Sequence, residues 1–259
     1  KGNAVIAALV NRQVAWSWHI WRTDAPAEKE AAAGCTILDR NLGATSVTPG
    51  DVSSYGLYYQ WGRKDPFVGA KELGINSNMT GSSEPEAFGS LTATYEKNTI
   101  GETEYTFGVT ANNDSQISDC IAYTIQNPTK FIRHTQQINN SGSWFNAEAS
   151  NFEDLWGGIS KQKSVYDPCP AGYKIPIDSR EVWKDFNADQ VEATETTFGG
   201  TINGAFYACA GQRNDEGKLS QLGIYAKAQS ATWSAAKKAY IMQLGYNKSF
   251  TGSYKASFT

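Results

Sequence analysis

Residues 167–176 read Asp-Pro-Cys-Pro-Ala-Gly-Tyr-Lys-Ile-Pro, three prolines and a glycine gathered around one cysteine. Each proline fixes φ near about −65° and removes a backbone donor, while glycine opens the left-handed region, so the stretch can follow few paths. Asp178 then stands at a capping position with Glu181 three residues later, and Val182 and Phe186 share a face. The spacing predicts that the rigid turn delivers the chain into a helix just after Pro176. Within that frame Cys169 reads as a structural thiol. A reactive cysteine needs neighbours that lower its pKa, and the adjacent Asp167 raises it.

Two other periodicities organise the chain. Asn3–Val10 is almost continuously apolar, and after Asn11-Arg12-Gln13 the residues alternate, Val14, Trp16, Trp18 and Ile20 on one face and Ala15, Ser17, His19 and Trp21 on the other. This predicts a β-hairpin, with Trp16, Trp18, Trp183 and Trp233 in the core. Cys35–Asp39 reads as a short strand. Ile117, Ile121 and Ile125 recur at helical spacing in the stretch 115–128, and Pro128 disfavours helical geometry at Asn127. From Phe198 onward β character returns in 204–211, 230–235 and 239–246. Between Val47 and Thr110 the chain reads as loop, interrupted by the aromatic stretch 55–67, Tyr-Gly-Leu-Tyr-Tyr-Gln-Trp-Gly-Arg-Lys-Asp-Pro-Phe. Irregular stretches of that length usually carry function.

Composition narrows the function classes. Charged residues make up 19% against 12% aromatic, with eight Trp and two Met in 259 residues. That balance suits a β-rich extracellular protein, and the length suits one domain spanning 1–259. A net charge of −3 leaves no basic footprint for nucleic acid. No run approaches the ~20 apolar residues of a membrane span, and a chain opening at Lys1 with no signal peptide reads as a mature or trimmed product. Cys35, Cys120, Cys169 and Cys209 are widely spaced with no Cys-x-x-Cys, which argues against zinc.

Catalytic motifs are missing from the sequence. His19 and His134 are the only histidines, and neither Gly-x-Ser-x-Gly nor His-Glu-x-x-His occurs. His19, set among tryptophans on a strand, reads as a hydrogen-bonded structural residue. Glu84/Glu86 and Asp215/Glu216 are carboxylate pairs, yet adjacency in sequence does not set a separation across a sugar ring. No catalytic residue, cofactor or metal ligand is assigned, and the chain is read as non-enzymatic.

Taken together, the 167–176 stretch, Glu181-Val182-Trp183, the run 206–219 (Phe-Tyr-Ala-Cys-Ala-Gly-Gln-Arg-Asn-Asp-Glu-Gly-Lys-Leu), Ala231-Thr-Trp-Ser-Ala235 and 239–246 resemble the Fibrobacter succinogenes major paralogous domain. Upstream, Trp16–Trp21, Leu38–Ala44 and 56–67 resemble the amino-terminal extension this domain carries in surface and fimbrillin-type proteins of Bacteroidetes. The resemblance spans nearly the whole chain outside about 70–115 and 135–155. It divides the domain into an extension with insertions (1–150) and a core motif region (151–259). Tyr173 and Ile177 depart from the family's usual Trp and Thr.

The resemblance implies an α+β, C-type-lectin-like fold of twisted antiparallel sheets with two flanking helices and long loops. It also implies an exported, surface-attached protein that binds something: an adhesin or fimbrial tip recognising a glycan or protein, or alternatively a structural subunit contacting its neighbours. An exposed edge strand favours the subunit reading. The contact residues expected from the carboxy-terminal loops are Arg213, Asn214, Asp215, Glu216, Lys237, Lys238, Tyr246, Asn247, Phe250 and Tyr254, with 47–110 adding to that face. Such domains usually end in a cysteine-bearing strand that pairs with the cysteine of the proline motif. This chain ends Tyr-Lys-Ala-Ser-Phe-Thr, so Cys169 is expected to pair with a residue outside this sequence or with Cys209. Calcium-dependent sugar binding has little support, because Glu84-Pro85-Glu86 lies outside the expected region and Arg213–Glu216 lacks the accompanying tryptophan. The paired reactive cysteines of formylglycine-generating enzymes, which share a related fold, have no close counterpart.

Overall fold

A computed structural model describes residues 1–70, 76–78, 103–104, 114–132, 154–185, 198–213, 219–233, 239–247 and 253–258. Its elements are short and mostly antiparallel. Strand β1 (Gly2–Val10) folds back on β2 (Gln13–Arg22), with Asn11 and Arg12 at φ 51° and 66° in a two-residue turn whose left-handed residues match the strand twist. A one-turn 3-10 segment, Ala32–Gly34, links β3 (Glu28–Glu30) to β4 (Thr36–Leu38). Strands β5 (Asn76–Asn78) and β6 (Thr103–Glu104) precede the long helix α1 (Asp114–Gln126). That helix stops where the sequence predicts, one residue before the Asn127 that Pro128 restricts.

The second half begins with β7 (Phe131–Ile132), which pairs in parallel with β6, and the single-turn helix α2 (Ser179–Val182). Asp178 caps α2 by accepting from the Arg180 N–H, as its position predicts. The helix ends at Trp183, shorter than the expected run, and Phe186 lies outside the described residues. Strands β8 (Gly199–Ile202) and β9 (Ala205–Ala208) form an Asn203-Gly204 hairpin. Next come β10 (Gln212–Arg213) and β11 (Leu219–Leu222), which form a sheet with β5. Finally β12 (Tyr225–Trp233), β13 (Ala239–Asn247) and β14 (Ser253–Phe258) make a three-stranded antiparallel sheet. The chain is therefore α+β.

Four apolar clusters hold these pieces. Val182 and Trp183 pack on Ile202, Ala205, Tyr207, Cys209, Ala226, Met242 and Leu244, joining α2 to two sheets. Cys120 and Ile121 of α1 meet Ile132 and Leu155. Tyr55 and Ala70 pack with Phe206, Ala208, Ala210, Leu219 and Leu222, so the two halves of the chain share a core. Leu57 and Val68 take up Ala4, Val5 and Tyr59.

The stretch 55–67, which interrupts the irregular run 47–110, is the hub of the fold. Tyr58 and Phe67 exchange backbone hydrogen bonds of 2.9 and 2.7 Å, so residues 59–66 between them form a closed loop. From that loop Gln60 Nε2 donates to Ile132 O, Trp61 Nε1 to Ser230 O, and Trp156 Nε1 donates back to Arg63 O. Gly62 is required at φ 82°, where a Cβ would lie 2.6 Å from Leu155 Cδ1. An irregular segment becomes a keystone when its backbone groups are all spent on neighbours.

In the proline motif the carboxylate of Asp167 does the fixing. It accepts from the Cys169 and Ile175 N–H groups, each at 2.8 Å, and from Lys163 Nζ at 2.8 Å. The Tyr173 N–H donates to Pro170 O, closing a turn with Gly172 at φ 86°. Burial first, and Asp167 second, hold the Cys169 thiol well above its ordinary pKa. The expected bond to Cys209 is not formed. Cys209 is fully buried under α2, whereas Cys169 lies beside Tyr59 and Asp167, in a different part of the core.

Candidate functional site

The amino-terminal hairpin carries a surface whose chemistry conflicts with its surroundings. Its register places Asn3, Ser17, His19 and Trp21 on one face and Ala4, Ile6, Ala8, Trp16, Trp18 and Ile20 on the other. Apolar residues on an alternating strand ordinarily face the core. Here the polar face turns inward: Asn3 and Ser17 are fully buried, while Trp18 is 48% and Ile20 45% exposed. This overturns the expected core position of Trp18. Trp16 is half-buried, against Tyr166 and under Lys64 Nζ, 4.5 Å from its ring. Trp183 is buried as expected, and the side chain of Trp233 lies outside the described residues.

The inversion follows from what lies beneath the hairpin. The hub presents Lys64 and Asp65 there, and buried charges need paired, hydrogen-bonded neighbours. Ser17 Oγ donates to Asp65 Oδ1 at 2.7 Å, and Lys64 Nζ binds Ser17 O at 3.0 Å and Asp65 Oδ2 at 2.8 Å. Burial lowers the Lys64 pKa, with Asp65 opposing the shift. Asn3 Nδ2 donates to Gly43 O, and Trp21 Nε1 to Ala44 O. An apolar face over this network would strand every one of these groups.

His19 completes the network in the structural role expected of it. Its Nε2 lies 2.9 Å from Asn3 Oδ1, and its Nδ1 accepts from the Tyr59 hydroxyl at 3.2 Å, an arrangement for a neutral ring. Burial depresses its pKa from 6.5 to about 4. Between those values the unfolded chain binds one more proton than the folded one, so stability falls as pH falls. Urea unfolding should lose about 3 kcal/mol between pH 7 and pH 4 through this residue, and His19→Gln should flatten that slope. An unchanged slope in the variant would assign the acid sensitivity elsewhere.

Beyond its anchored base the hairpin projects. From Ile6 to Ala15 every residue except the half-buried Val14 is exposed, and Ile6, Leu9 and Val10 are 52%, 62% and 60% exposed. Among the described residues β1 pairs only with β2, and no described strand lies along its other edge. The irregularity in the pairing leaves Ala15 as the extra residue on β2, since Ala8 faces Trp16 and Leu9 faces Val14. The outer edge of β1 therefore stays regular. Gly2–Val10 contains no charge and no proline, the two devices that commonly protect an edge.

The expected carboxy-terminal contact residues are placed unevenly. Arg213 is held by the fold: its Nη2 donates to Val68 O at 2.7 Å, and its guanidinium lies 6.0 Å from the Tyr58 ring centre. Tyr246 and Tyr254 are register partners across β13 and β14, and Asn247 faces Ser253. Asn214, Asp215, Glu216, Lys237, Lys238 and Phe250 lie outside the described residues. The sequence reading did not single out Ile6, Leu9 and Val10 as exposed residues. Their signal was an apolar run too uniform to be the inner face of an alternating hairpin.

A recess lined by Glu30, Ile37, Trp183, Asp185 and Tyr207 has a volume of about 10 Å³, room for one water. Among the described residues no three His, Cys, Asp or Glu side chains gather to hold a metal ion, and no helix is long and apolar enough to cross a membrane. What fold and site define is an α+β protein, mostly antiparallel, with a projecting apolar hairpin. Comparison with protein families, curated proteins and solved structures gives no match to this chain.

Proposed function

We propose that this chain is a non-enzymatic subunit of an extracellular, cell-surface assembly of the fimbrial kind, with a C-type-lectin-like core, and that its working contact is the amino-terminal hairpin. One observation carries the reading: Ile6, Leu9, Val10, Trp18 and Ile20 lie open to water on one strand pair. An isolated two-stranded hairpin is marginal in water, and apolar patches of this kind mark protein contacts. The weakly charged, aromatic-rich composition and the motifs of 167–246 support the surface setting. Arg213, tied to Val68 and Tyr58, gives less support to a glycan site on the carboxy-terminal loops.

The test is an array of glycans and matrix proteins, run with calcium and again with chelator, comparing the wild-type chain with Ile6→Lys/Leu9→Lys. Expected are silence on glycans and protein binding that the double variant loses. A saturable glycan signal that survives the double substitution would overturn the subunit reading and move the function to an adhesin acting through 213–254.

A further inference from the structure

We infer that Lys227, Gln212 and Gln221 form a binding site for an oxyanion, a carboxylate, sulfate or phosphate group, on the outer face of β12. The site uses none of the hairpin's residues and stands apart from the subunit reading. Three strands bring it together. Tyr225, Lys227 and Gln229 alternate with Ala226 and Ala228 along β12, and because Ala226 is buried in the core, the lysine face is turned away from it. The Gly211 N–H donates to Tyr225 O at 2.8 Å, which sets the start of β10 beside the start of β12. Gln212 follows at once, and Gln221 lies next to the Ser220 that pairs with Gln212.

The hydrogen bonding leaves only donors free. Lys227 Nζ donates to Gln212 Oε1 at 2.5 Å and to Gln221 Oε1 at 3.2 Å, and it lies 5.3 Å from the Tyr225 ring centre. An ammonium has three N–H groups and accepts nothing, so it holds both amides with their oxygens inward. Their NH2 groups are thereby turned from the lysine, and neither spends a hydrogen bond on a described residue.

The charge at this place lacks a counter-charge. None of the ion pairs among the described residues includes Lys227. Burial lowers the pKa of Lys64 and Lys227 alike, but Asp65 opposes the shift at Lys64 and no charge opposes it at Lys227. Gln243 is the register partner of Lys227 on β13, and Gln229 follows two residues along β12, so the neighbouring positions of that face carry amides and no carboxylate. A half-buried ammonium held by neutral amides calls for an anion.

The site is also held in shape. Gln221 has φ 59°, a left-handed value disfavoured for a residue with a Cβ. Gly211 makes the close crossing there possible, since a Cβ at that position would lie 2.4 Å from Ser220 O and 2.8 Å from Leu222 N. Strain kept at a residue whose side chain completes a donor cluster is what a preformed site shows.

Titration of the full chain with acetate, sulfate and phosphate, each to about 100 mM at an ionic strength held constant with chloride, tests this. In nitrogen–proton correlation spectra the side-chain amide signals of Gln212 and Gln221 should move and saturate with at least one of the three, and which one tells a planar from a tetrahedral ligand. Lys227→Met, which keeps the stem, should weaken that response at least tenfold. Gln212→Glu gives the ammonium an internal carboxylate, so it should abolish the response while near-UV circular dichroism stays that of wild type. No saturable movement with any of the three anions would overturn the inference. An undiminished response in Lys227→Met or in Gln212→Glu would overturn it as well.

Discussion

Gly157→Ala is expected to abolish stable folding. A Cβ built at this position lies 1.6 Å from Gln162 O, a backbone atom, and the residue sits at φ 75°, where side chains are disfavoured. Neither problem can be relieved by turning a flexible side chain. The loop around it is closed by Asp154, whose carboxylate accepts from the Ile159 and Ser160 N–H groups and whose carbonyl accepts from Gly157. Trp156, one residue earlier, is fully buried. Displacing the loop therefore displaces a core tryptophan. The cost should be on the order of 4 kcal/mol or more, read as loss of the cooperative urea transition. Gly172→Ala is the control: φ is 86° there, yet nothing lies within 4 Å of the added carbon. It should cost only about 1 kcal/mol. Equal losses at the two sites would show that φ alone, and not the Gln162 contact, sets the penalty.

Arg63 should be the most costly side chain to remove. It is 2% exposed, and Nη1 donates to Gln60 Oε1 and Lys130 O at 2.8 and 2.7 Å. Nη2 reaches Asn127 O and Pro128 O at 3.4 and 3.3 Å. These carbonyls follow the end of α1, where the helix dipole favours a cation, and the guanidinium also sits 4.9 Å from the Phe67 ring centre. Arg63→Met keeps most of the stem's volume but strands the carbonyls, at an expected cost of about 3 kcal/mol. Arg63→Ala adds a cavity and should cost about 4 kcal/mol. Lysine should not rescue, because one ammonium cannot reach four acceptors spread around a planar fork. A methionine variant within about 1 kcal/mol of wild type would show that water satisfies those carbonyls, and the keystone role of the hub would fail with it.

Local rules were legible wherever one short stretch decided the outcome. The hairpin of β1 and β2, the end of α1 before Asn127, the cap at Asp178 and the strands within 204–246 all follow from spacing, proline and glycine. The raised pKa of Cys169 followed from its neighbour Asp167, although burial proved the larger cause. What failed were statements about which partner a residue meets. Trp18 was assigned inward because alternation marks two faces without saying which is buried. Residues 55–67 stood out only as an aromatic interruption of an irregular run, because a segment without periodicity hides its bonds to distant elements. The bond that holds Arg213 was equally hidden, because Val68 is 145 positions away in sequence.

The division has a physical cause. Proline, glycine and capping residues act through φ and through hydrogen bonds a few residues long, so the sequence by itself determined the amino-terminal hairpin, the end of α1 and the cap of α2. Burial depends on what lies on the other side of a surface. Lys64 and Asp65 arrive under the hairpin from more than forty residues downstream, and once there they require the face bearing Ser17. Only the tertiary structure could decide that the tryptophan and isoleucine face of the hairpin would be left to water.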